Sequence, residues 1–248
     1  MHNTLLLRAA ATFAALTSFA AAQIPAGRVE ILYINTPGHP TNVVPGTGLP
    51  FNAGGGSTSA VIRPWFSQDE SQFLIEVFAE TGATLTNDNC YLLHGSLLLR
   101  EGTPAPWNLT ENVGVLDDDV GINNAGEVLV TQSTSSAATI NDIVARYTAG
   151  FWTELAREGS VVDPFLPAYA GALWDDLMDT PRLAGGQAIW RADGVDFTPA
   201  NLIGDEFLLQ PSGTPLRESF SGPTGLAGGA TNLWENFTAG ETYVDESG

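Results

Sequence analysis

One segment of this chain occurs twice, and that recurrence constrains the fold more than any other feature. Leu97-Leu98-Leu99-Arg100-Glu101-Gly102-Thr103-Pro104 returns 57 positions later as Glu154-Leu155-Ala156-Arg157-Glu158-Gly159-Ser160-Val161. Phe207-Leu208-Leu209-Gln210-Pro211-Ser212-Gly213-Thr214, 53 positions further on, reads as a degenerate third copy. A second landmark lies between these: Ile122-Asn123-Asn124-Ala125-Gly126-Glu127-Val128-Leu129-Val130 is matched by Leu183-Ala184-Gly185-Gly186-Gln187-Ala188-Ile189-Trp190. Ser67-Gln68-Asp69-Glu70-Ser71-Gln72-Phe73-Leu74-Ile75 fits the same slot earlier, and Thr238-Ala239-Gly240-Glu241-Thr242-Tyr243-Val244 fits it later. A third patch links Leu116-Asp117-Asp118, Leu173-Trp174-Asp175 and Leu233-Trp234-Glu235. Self-similarity at a period of about 55 to 60 residues predicts modules that bury their faces against one another.

The modules read as strands. Apolar, β-branched and aromatic runs bounded by Gly, Pro, Asn and Asp predict strands over 72–80, 90–100, 127–132, 142–147 and 151–157. Phe151-Trp152-Thr153 favours a strand over a helix for the segment that follows. Gly occupies the turns because positive φ carries no penalty for it. Ser71 stands where the other copies have Gly, so that turn is expected to be built differently. No segment has a long helical period. The fold class expected is all-β, a β-propeller-like array of about three and a half blades, incomplete or open. A β-sandwich with similar turns is the competing architecture. Trp152, Trp174, Trp190 and Trp234 are expected as fillers between sheets.

Residues 1–22 read as a secretory signal, with Arg8, an apolar run and Ala20-Ala21-Ala22 before Gln23. Residues 23–56 form a Pro/Gly-rich segment, and 57–248 the array, with units at about 57–107, 108–165, 166–222 and a partial 223–248. A closed ring needs at least four blades. Three units and a fragment therefore predict an open edge, an edge covered by assembly, or closure by a strand such as Val29 to Asn35.

The segments Arg63 to Asp69, Arg100 to Pro106, Ile122 to Glu127 and Ala156 to Gly159 resemble those of a family of secreted bacterial proteins with propeller-like "Ala-Arg-Glu-Gly" repeats. The resemblance spans roughly 60–248. It implies a propeller-like fold and export, and it supplies no catalytic residue.

Composition narrows the chemistry. Lys+Arg number 9 against Asp+Glu 28, with no Lys and a net charge of -19. Nucleic acid and anionic lipid are poor partners for such a surface, and the acidity suits salty surroundings. Cys90 is the sole cysteine, so no internal disulfide forms. No Gly-x-Ser-x-Gly elbow accompanies His39 or His94. The sequons at Asn108 and Asn236 are set aside, because the Ala-rich leader and Lys-free composition point to a bacterial source. Catalytic and cofactor-binding residues are therefore expected to be none. Asp117, Asp118 and Asp119 are the candidate Ca²⁺ ligands, with Asn123 and Asn124 nearby. The function expected is a non-catalytic secreted or cell-surface interaction protein. Its partner would be a protein or glycan at the cell surface, with self-assembly open to it. The alternatives are a structural subunit of an extracellular fibre or layer and a secreted polysaccharide hydrolase. If calcium holds the Asp117 loop, a chelator lowers the melting temperature; an unchanged melting curve removes the metal.

Overall fold

The computed structural model describes residues 42–52, 61–80, 88–116, 119–162, 171–175, 178–184, 186–192, 207–209 and 216–217. The signal segment 1–22, most of the segment 23–56, Leu233-Trp234-Glu235, Thr238 to Val244 and the partial unit 223–248 lie outside them. The described residues are all-β, with no helix.

Three four-stranded antiparallel sheets follow one another along the chain, each in simple sequential order. The first contains β1 (Val61–Phe66), β2 (Phe73–Phe78), β3 (Asn89–Leu93) and β4 (Ser96–Arg100). A small hairpin, β5 (Pro104–Ala105) and β6 (Asn108–Asn112), comes next. The second sheet contains β7 (Val120–Ile122), β8 (Val128–Ser133), β9 (Asp142–Thr148) and β10 (Phe151–Arg157). The third contains β11 (Met178–Ala184), β12 (Gln187–Ala192), β13 (Phe207–Leu209) and β14 (Leu216–Arg217).

The single strand expected over 90–100 is two strands. A two-residue turn at His94-Gly95, with φ of 49° and 77°, separates β3 from β4. Positive φ at both central residues matches the twist of the flanking strands. Ala149-Gly150, at φ 50° and 94°, makes the equivalent turn between β9 and β10. The second turn falls in the gap between the strands expected at 142–147 and 151–157, whereas the first lies inside one apolar run.

The recurrent Arg-Glu-Gly segments hold the same place in the first two sheets. Each ends the fourth strand and turns a corner. Thr103 N–H donates to Arg100 O at 3.3 Å, and Ser160 N–H donates to Arg157 O at 3.1 Å. The hydroxyls of Thr103 and Ser160 donate to the same carbonyls at 2.7 and 2.5 Å. Gly102 and Gly159 sit at φ 72° and 73°. The segment at 207–214 does not belong to this set. Phe207–Leu209 is the third strand of its sheet, and Leu216-Arg217 is the fourth. Leu216-Arg217 therefore holds the place of Leu99-Arg100, and the apolar run 207–209 imitates it in the sequence.

Two further alignments change. Val113, not Leu116, is the partner of Trp174. Gly102 N–H donates to Val113 O as Gly159 N–H donates to Trp174 O, both at 2.8 Å. In the β1–β2 turn, Glu70 rather than Ser71 occupies the position of Gly126. Glu70 N–H donates to Ser67 O as Gly126 N–H donates to Asn123 O, and Glu70 has a φ of 58° against 76° at Gly126. Ser71 is an added residue. It frees the loop to close by side-chain bonds, with Asp69 Oδ1 accepting Ser71 N–H at 3.0 Å and Ser67 Oγ–H at 2.9 Å.

The sheets pack face to face. One apolar layer joins Leu74, Tyr91 and Leu99 of the first sheet to Val128, Val130, Ile143 and Ala145 of the second. The next joins Leu129, Val144 and Ala156 of the second to Ala188, Trp190, Phe207 and Leu209 of the third. The second sheet is thus covered on both faces, and β8 is buried at five successive residues. Trp174 and Trp190 fill this layer at 2% and 1% exposure. Trp152 lies at a rim, and Trp234 is outside the described residues. The first strands are neighbours as well, with β7 touching both β1 and β11. Gly121 makes the second approach possible, since a Cβ there would lie 2.8 Å from Arg182 Cα and 3.0 Å from Pro181 O. Gly121→Ala drives backbone against backbone. Its expected cost is about 1–3 kcal/mol, read as a lower denaturation midpoint; an unchanged midpoint means the strands do not approach this closely.

Candidate functional site

In a sequential antiparallel sheet the first-to-second and third-to-fourth turns emerge at the same end. That end carries a polar network that joins the turns. Asn123 organises the β7–β8 turn: its Oδ1 accepts the N–H groups of Ala125 at 3.1 Å and Glu127 at 3.0 Å. Its amide nitrogen donates to Glu127 Oε2 at 2.7 Å. Glu127 also accepts from Arg146 Nη2 at 2.7 Å and Thr148 Oγ1 at 3.1 Å. Burial pushes the Glu127 carboxyl up, but Arg146, Asn123 and Thr148 outweigh it and hold the group below the usual carboxylate range.

The network crosses between sheets. Asn124 Oδ1 accepts Asp69 N–H at 3.1 Å, and a Cβ on Gly126 would lie 2.8 Å from Gln72 Oε1. On the far side, Gly186 faces Arg146 Nη2. Asp69 is fully exposed, and bonds from Ser71 and then Ser67 lower its pKa. His94 Nε2 lies 2.6 Å from Gln72 Oε1, with its ring edge-on to Phe73 at 5.1 Å. An amide oxygen cannot take a proton from imidazole, so Gln72 and His94 form no acid–base couple. This end presents hydrogen-bonding groups in fixed positions.

Asp117 and Asp118 lie outside the described residues. Asp119 immediately precedes β7 and is half-buried. Asn123 and Asn124 are committed to the turn and to Asp69. No group of three or more His, Cys, Asp or Glu side chains suited to a metal occurs among the described residues. Asp175 is not the counterpart of Asp117 or Asp118, because Trp174 aligns with Val113. His39 lies outside the described residues.

A second polar cluster sits where the β5–β6 hairpin meets the second sheet. Arg157 Nη2 donates to Glu111 Oε1 at 2.6 Å and to Glu154 Oε2 at 2.5 Å. Thr134 and Ser136 hydroxyls also donate to Glu111 Oε2. Burial again opposes the charge on Glu111, and Arg157 and Ser136 outweigh it, so its pKa is lowered. In the sequence, Arg157 and Glu127 stand out only as members of recurrent turn motifs. Their partners Glu111 and Arg146 lie 46 and 19 residues away, and no local pattern signals such pairs.

Cys90 is buried, and burial pushes its thiol up to about 12. Asp88 beside it is raised by burial as well. Searches against protein-family models, curated proteins and solved structures find no match for this chain.

Two outcomes follow from these environments. The Cys90 thiolate is suppressed, so an aromatic disulfide reagent at pH 8 labels the folded protein no faster than it unfolds; prompt labelling contradicts the burial. Glu127 has a lowered folded pKa, so its contribution is present above the unfolded value of about 4.3 and is lost as pH falls through the folded value. Glu127→Gln is therefore expected to cost about 1.5 kcal/mol at pH 7. The gap to wild type should close below about pH 4, as followed by denaturant melts; a gap independent of pH contradicts the assignment.

Proposed function

We propose that this chain is a non-catalytic, exported interaction protein in which a four-stranded module is repeated in tandem and stacked as the blades of a β-propeller-like array. Its partner is a protein or glycan at the cell surface. One observation carries the architecture: the second sheet is covered on both faces by its neighbours while the first strands β1, β7 and β11 lie side by side. A two-sheet sandwich buries one face of each sheet, whereas radial stacking buries both and gathers the first strands near an axis. The resemblance to secreted bacterial proteins with propeller-like repeats points the same way.

The recognition role rests on the turn end. Asp69, Gln72, His94, Asn124 and Thr148 are held there by bonds between turns, on rigid strands. Such an end offers a partner both donors and acceptors without needing a reactive group. The test is co-sedimentation of the purified chain with cell-wall polysaccharide and surface protein from the producing cell, with reducing ends measured in parallel. Retention without release of reducing ends is expected. Release of sugar, or no retention on either fraction, overturns the reading.

A further inference from the structure

We propose that the β5–β6 hairpin is a latch: a flap that lifts as a unit from the rim of the second sheet and is held shut by the Glu111–Arg157 clasp. The hairpin belongs to none of the three sheets. Its base is fixed, because Val113 N–H donates to Thr103 O at 2.9 Å and Ser135 N–H donates to Asn112 O at 2.9 Å. Its own ladder is thin. Only Pro104 with Asn112 and Ala105 with Asn108 are paired, across an irregular register, and Pro104 has no N–H to give. Its tip is exposed, with Leu109 78% accessible.

Several contacts hold the flap closed: Ala105 is fully buried in the apolar layer between the first two sheets, and the Thr134 and Ser136 hydroxyls donate to Glu111 Oε2. Trp107 packs edge-on against Trp152, with ring centroids 5.4 Å apart, and Trp152 in turn packs on Tyr147 at 5.5 Å. The Glu111 carboxylate takes both Nη atoms of Arg157, at 2.6 and 3.2 Å. One feature opposes closure: the Trp107 indole N–H is sealed from solvent with no acceptor. Lifting the flap hydrates that donor and leaves the sheet ladders untouched. A hairpin that combines an unsatisfied buried donor with a two-pair ladder opens before the sheets do. Opening uncovers the Trp152–Tyr147 pair, so the latch controls access to an aromatic surface at the rim between the first two sheets. This inference does not depend on what the turn end binds.

The indole N–H of Trp107 reports the opening directly, since it exchanges with solvent only when the flap lifts. The experiment is hydrogen exchange of the tryptophan indoles by NMR on the full chain. Trp107 is expected to exchange at least about 100-fold faster than Trp190, which lies between sheets and needs global unfolding. Glu111→Gln is expected to speed Trp107 about tenfold and to leave Trp190 unchanged. Equal rates for the two indoles in the wild-type protein overturn the latch, and that comparison stands even if the variant fails to fold. Parallel acceleration of both indoles in the variant overturns it as well.

Discussion

Every other feature of this molecule depends on the burial of the second sheet between two others. β8 buries Val128, Leu129, Val130, Thr131 and Gln132 in succession, so it has no solvent face to which it could turn. Burying a large aliphatic side chain contributes about 1.5–3 kcal/mol relative to leaving it exposed. A four-stranded sheet alone forfeits half of that on each open face. Neighbouring sheets are therefore part of each sheet's stability, and the stack holds together as a cooperative series. Gly121 belongs to this constraint, because close packing of β7 on β11 leaves no room for a side chain.

The polar groups follow from the same geometry. In a chain with 28 acidic and 9 basic side chains, few cations can neutralise a buried carboxylate. Those cations are all arginine, whose planar fork engages two acceptors at once. Arg157 serves Glu111 and Glu154 together, and Arg146 serves Glu127 alongside Asn123 and Thr148. Other buried carboxylates among the described residues rely on neutral donors: Glu76 accepts from the Asn89 amide, and Glu158 from the Asn141 and Asp142 N–H groups. Positive φ at Glu70 is a local strain, tolerated because Ser67, Asp69 and Ser71 close the loop through side chains.

These constraints leave function to the ends and rims of the stack. Strand interiors are consumed by packing, and corner residues by their own turns. The turn end is polar, bridged between sheets and positioned by rigid strands, while the rim carries partly buried aromatics under a thin hairpin. In the function proposed here, a partner that reads hydrogen-bonding groups would meet the first, and in the proposed latch, one that reads aromatic surface would meet the second once the hairpin lifts.

Local chemistry was legible in the residues themselves. The Arg-Glu-Gly-Thr and Arg-Glu-Gly-Ser corners and the Asn-Asn-Ala-Gly-Glu turn close through bonds among residues at most four apart, so their sequences carry their conformation. The strand at 151–157 was likewise visible from its aromatic and β-branched residues. The apolar run at 90–100 concealed a turn, and the run at 207–209 imitated a fourth strand, because apolar content alone does not record which strand of a sheet it builds. Only the tertiary structure decided which face of β8 meets which neighbour, that Val113 stands where Trp174 does, and that Glu111 meets Arg157. Such pairings join residues tens of positions apart. Their energy arises from burial and mutual orientation, which no stretch of sequence contains until the sheets are stacked.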